Sequence, residues 1–61
     1  MIPDDDVKIL AREMIKQFPA DAADQATLRS SAFFHMGYVE KSKKWLLVRA
    51  EIKGILASAG A

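Results

Sequence analysis

Two breakers, Pro19 and Gly37, cut this chain into three pieces, and every piece carries the apolar spacing of a helix. In the first piece Val7, Leu10, Ala11, Met14, Ile15 and Phe18 recur in steps of three and four. That is the pattern of one buried helical face. Lys8, Arg12, Glu13, Lys16 and Gln17 fill the other side. Asp4, Asp5 and Asp6 suit a helix start, as an N-cap and as carboxylates at the positive end of the helix dipole. Pro19 disfavours a helical Phe18, so the spacing predicts a first helix over 5–17.

The second piece opens with Asp21 as N-cap and Asp24 three residues on, a weak capping box. Its expected inner face is Ala23, Ala26, Thr27, Ser30, Phe33 and Phe34. The small residues would let a neighbouring helix come close, and the two Phe would fill the space where the helices diverge. Gly37 takes the left-handed conformation without steric cost and so ends the helix, which spans 21–36. In the third piece Trp45, Val48, Ile52, Ile55 and Leu56 fall within one arc at helical spacing, with Trp45 leading a buried stripe. This helix is expected over 39–57, with residues 58–61 fraying because ASAGA has little to bury. No strand alternation is present. Short links force antiparallel or steeply angled neighbours, so residues 1–61 should form a single all-α domain, a compact three-helix bundle with short connections.

The chain has 61 residues, no Cys and one His. A domain this short buries only about 60% of the surface its unfolded chain exposes. With no disulfide or thiolate metal site to add stability, its core must hold it, alone or with a partner copy. The formal net charge of +1 gives no long-range pull toward polyanions. No apolar run approaches the length that crosses a bilayer, and MIPDDDVKIL is acidic where a secretory signal would be basic. A cytoplasmic setting and no membrane partner are therefore expected. A helix lying on a membrane surface would need the apolar stripe that the core already uses.

Candidate chemistry is sparse. Asp4 to Asp6 lack the glycine and distal glutamate of a calcium loop, so no metal site is expected from them. His35 lies near Ser30 and Ser31, but no G-x-S-x-G turn and no second His accompany it. A His in the last turn of a helix is favoured there by the dipole. No catalytic residue, no cofactor and no enzymatic activity are expected.

KSKKWLLVRAEIKG, residues 41–54, raises nucleic-acid binding as the alternative, through Lys41, Lys43, Lys44, Arg49 and Lys53. A helix-turn-helix would set a small residue four positions before Gly37, where Phe33 stands, and a buried apolar residue six positions after it, where Lys43 stands. The basic residues also share no face of their own, so only weak, salt-sensitive phosphate contacts would result. The stronger signal is what the core leaves over. Trp45 to Val48 are four apolar residues in a row and cannot all face one interior. Leu46 and Leu47 point away from the stripe, as do Ile9 and Leu28. If gathered in space they would form an interaction surface, most simply for a symmetric homodimer or else for an unidentified protein. A small protein-interaction module is the function expected.

The order AREMIKQFPADAADQATLRSS, then Gly37, then WLLVRAEIKGI resembles a group of short helical proteins of alphaproteobacteria. Their pattern is an amphipathic first helix, an A-x-x-A-x-x-R-A second helix, a Gly-Asp turn and W-x-x-I-x-x-A-I-x-x-L. Ala23, Ala26, Arg29 and Ser30 match the middle part; Trp45, Val48, Ile52 and Ile55 match the last. Tyr38 stands where the pattern has Asp, and Glu51 where it has a small residue. The resemblance implies the fold and a bacterial cytoplasmic setting. The group has no assigned activity, so no catalytic residue carries over.

Overall fold

The computed structural model describes the backbone of residues 3–60 and the side chains of residues 6–59. Three helices follow one another: α1 (Pro3–Gln17), α2 (Ala22–His35) and α3 (Val39–Gly60). They pack as an all-α three-helix bundle, with no strand among the described residues. α3 is the longest and touches both others, α2 most extensively. At about 1.5 Å per residue its 22 residues span roughly 33 Å, close to the longest dimension of a body 37 × 28 × 16 Å.

The helix ends follow local chemistry, with three departures from the sequence reading. α1 begins at Pro3 rather than at residue 5. Proline suits the first helical position because its missing N–H has no intrahelical partner there anyway. Asp4 to Asp6 therefore fall inside the first turn, and the capping expected of Asp4 and Asp5 lies outside the described side chains. At α2 the residue expected to cap is in place, but Asp21 makes no side-chain cap hydrogen bond. Its ψ of 13° is far from the extended backbone that aims an N-cap oxygen at the following amides. Only its carbonyl serves, accepting the Gln25 N–H at 2.8 Å. α3 continues through Ser58 and Ala59 to Gly60, past the expected end at 57. Alanine propagates a helix without needing burial, so the short tail extends it.

The α2–α3 turn meets its expectation in detail. Gly37 has φ +87°. The Gly37 N–H donates to the Phe34 carbonyl at 3.0 Å and the Tyr38 N–H to the Phe33 carbonyl at 2.9 Å. These are the two bonds of a Schellman motif, which satisfy carbonyls the helix end would leave open. The hydrophobic contact that accompanies the motif is present too: the rings of Phe33 and Tyr38 meet edge-on, centroids 6.3 Å apart. The Tyr38 carbonyl then accepts the Ser42 N–H at 3.0 Å, so the residue closing α2 also opens α3.

The core is narrow. Val7, Ala11 and Met14 enter from α1, Ala22 and Ala26 from α2, Val48 and Ile52 from α3, with Leu10, Ile15, Phe18, Ala23, Trp45 and Ile55 packed around them. On α2 the buried residues are Ala22, Ala26 and Ser30, each one turn from the next. This stripe sits to one side of the face read from the sequence. Phe34 lies about 80° round from it at 100° per residue and is 61% exposed; Thr27 is exposed as well. Leu56, assigned to the α3 stripe, is 40% exposed. Trp45 packs against the core but stays half-buried, because its ring also meets the Arg29 guanidinium at 5.3 Å from its centroid. Arg29 is itself exposed, and such a cation–π contact lays its charge over the outer face of the ring.

One polar lock crosses the α2–α3 seam. The buried Ser30 hydroxyl donates to the Ser42 carbonyl at 2.9 Å and lies 3.0 Å from the Ser42 hydroxyl. Since Ser30 has one proton to give, Ser42 donates in the second contact. No buried side-chain N or O lacks a partner among the described residues.

Candidate interaction surface

Among the described residues nine large hydrophobic side chains stand exposed: Ile9, Leu28, Phe34, Met36, Tyr38, Val39, Leu46, Leu47 and Leu56. Of comparable size, Val7, Met14, Val48 and Ile52 are fully buried among the described residues, and Leu10, Ile15, Phe18, Phe33, Trp45 and Ile55 partly so. Amphipathic geometry explains how this arises. Each helix buries one stripe about two residues wide, and a body 16 Å thick has little interior to offer the rest.

The four residues read from the sequence as a surface are all exposed, and they project from three different helices. Ile9 projects from α1 about 200° from Val7, and Leu28 projects from the outer side of α2, at 100° per residue. Leu46 and Leu47 flank the outer side of α3 from opposite directions. Of the four, Leu47 lines two grooves. Along the seam of α1 and α3 a groove of about 360 Å³ is lined by Val7, Lys8, Leu47, Ala50, Glu51 and Gly54. A second, of about 430 Å³, is lined by Val7, Glu40, Lys43, Lys44 and Leu47. Val7 and Leu47 border both, so the two run together along the seam.

A second apolar region lies at the α2–α3 end, where Phe34, Met36, Tyr38 and Val39 are exposed within six positions. The sequence reading assigns Phe34 inward, Met36 to the end of the second helix and Val39 to the start of the third, and makes none of them a surface. The signal was available: FFHMGYV is far more apolar than a turn needs to be. Lys41 modifies this end, its ammonium 5.6 Å from the Phe33 ring centroid and 5.3 Å from that of Tyr38.

The basic residues of α3 face different ways. Lys44 pairs with Asp6 of α1 at 3.3 Å, the only ion pair among the described residues. Arg49 reaches toward α2, its guanidinium 3.5 Å from the Thr27 hydroxyl, which itself donates to the Ala23 carbonyl at 3.0 Å. Lys41 lies over the aromatic turn, and Lys43 lines the α1–α3 groove. Lys53 is exposed farther along. Three of the five thus have partners within the chain, and the set forms no continuous basic strip. His35 is exposed beside Phe34, their ring centroids 6.3 Å apart. No group of three His, Cys, Asp or Glu side chains suited to a metal occurs among the described residues, and no described helix is long and apolar enough to cross a membrane.

Fold and surface together define a small all-α bundle in which nine of the larger apolar side chains among the described residues are exposed. No protein-family model matches the chain, and neither a curated protein nor a solved structure matches it.

Proposed function

We propose that this chain is a small protein-interaction module, acting by binding a second copy of itself or a larger protein, with no chemistry of its own. The observation that supports this reading is that nine large hydrophobic side chains stand exposed among the described residues, against four fully buried and six partly buried. Scattered exposed apolar residues are ordinary on any protein. Here Phe34, Met36, Tyr38 and Val39 are exposed together at the α2–α3 end and Leu47 borders the α1–α3 groove, and contiguous apolar surface marks interaction sites. Burying such a surface would also add to a core that is small for the length of chain it must hold. The reading includes a cytoplasmic setting.

Sedimentation equilibrium and light scattering from micromolar to millimolar protein test it, together with thermal melts over the same range. A mass that rises with concentration, and a melting midpoint that rises with it, is the expected result. A strict monomer throughout, combined with no binding partner whose capture is lost on Leu47→Lys or Phe34→Ser, would remove the basis of the proposal.

A further inference from the structure

Gly54 stands in the interior of α3, five residues and more from either helix end, where glycine weakens a helix relative to alanine. The fold of one chain does not require it: its φ is not in the left-handed region, and a Cβ built there meets nothing within 4 Å. Gly37, by contrast, is needed for its positive φ. The space over Gly54 opens into the α1–α3 groove, beside Ala50. Leu47, at nearly the same angle two turns earlier, borders the same groove and is 57% exposed. One helix face therefore carries a protruding apolar side chain and, about 10 Å along at 1.5 Å per residue, a bare stretch of backbone.

We propose that this face is a two-fold homodimer contact, in which the α3 helices of two copies cross antiparallel near Ala50 and the Leu47 of each covers the Gly54 of the other. The inference rests on the self-association reading above and names its surface. A two-fold contact requires a self-complementary patch, in which residue i meets j and j meets i, and a knob and a hole on one helix satisfy that. Lack of a Cβ at Gly54 allows the helix axes to approach closely. Charge agrees. Lys8 and Glu51 flank the groove with opposite signs and are not paired with each other in the chain. Both lie on the α1 side of the axis, so the two-fold brings the Lys8 of each copy toward the Glu51 of the other. A surface of balanced, alternating sign suits its own copy and gives a polyanion no net attraction.

Sedimentation equilibrium of the intact chain and its variants tests the assignment. Gly54→Leu and Leu47→Lys should each weaken dimerisation at least tenfold, whereas Leu28→Lys, on the far side of α2, should not. Gly54→Ala separates the effects of fold and contact: it should raise the melting midpoint of the dilute monomer while weakening the dimer. Lys8→Glu should weaken the dimer, and Lys8→Glu combined with Glu51→Lys should restore it. A wild-type dimer indifferent to Gly54→Leu and to the charge exchange would overturn this surface while leaving self-association intact. A wild-type chain that stays monomeric at millimolar concentration would overturn both.

Discussion

The two seams that α3 makes are built differently. Against α2 it is held by a Schellman turn, an edge-on aromatic pair, the Ser30–Ser42 lock and the Arg29–Trp45 contact. Against α1 the polar connection is a single Lys44–Asp6 pair, both side chains substantially exposed, and the seam opens into a groove. One seam is specified by directional contacts over a short, low-entropy connection. The other depends on a few apolar side chains, and a surface pair of this kind contributes about 0–1 kcal/mol. The difference teaches where the molecule can give: α2 and α3 are joined by directional contacts, and α1, which completes the core with Val7, Ala11 and Met14, is held to α3 by fewer of them.

Five substitutions probe that contrast, each read by chemical denaturation. Ile52→Ala should have the largest effect, about 2–5 kcal/mol for a fully buried side chain. That is comparable with the whole stability of a domain this size, about 3–9 kcal/mol at 0.05–0.15 per residue. If the same experiment left most of the stability in place, the shared three-helix core would not be what holds the fold. Trp45→Ala should cost about 2–3 kcal/mol, below the 3–5 expected for a fully buried aromatic, with roughly 0.5–1 of it from the lost Arg29 contact. Arg29→Ala, made alongside, should recover that smaller share. Ser30→Ala should cost about 1–2 kcal/mol, because it leaves the Ser42 hydroxyl buried without a partner. Asp6→Asn should cost under about 0.5 kcal/mol, and the effect should vanish in high salt. A larger value there would mean that the α1 seam is held more firmly than its contacts indicate.

Much of this fold was legible because helical periodicity and chain breakers are local signals. Val7, Ala11 and Met14, Ala26 and Ser30, Val48 and Ile52 were all placed on inner faces from spacing alone, and Gly37 was placed at its turn. What failed was rotation. Spacing defines a stripe only to within about a residue, and which edge of it is buried depends on the neighbour. Ala22, a helix-start residue with little character of its own, is buried, while Phe34, with every reason of hydrophobicity to be inside, is not. The close approach of α3 along Ala22, Ala26 and Ser30 decided it. Ser42 was not singled out for the same reason, since a serine among lysines becomes meaningful only once Ser30 lies opposite. The surface was less legible still. Ile9, Leu28, Leu46 and Leu47 were rightly read as left over from the core, but their separation onto different faces is a tertiary fact. The groove beside Leu47 exists only because α1 lies where it does.

Tyr38 ends one helix with its amide and starts the next with its carbonyl, which leaves the connection no spare residue. The angular setting of α3 is therefore geared directly to the length of the turn. One residue inserted after Gly37 would rotate every following side chain by about 100°, moving Leu47 into the place of Val48 and the Glu51 carboxylate into that of Ile52. Lengthening here would turn the protein inside out along its longest element, whereas the α1–α2 link has no such double duty.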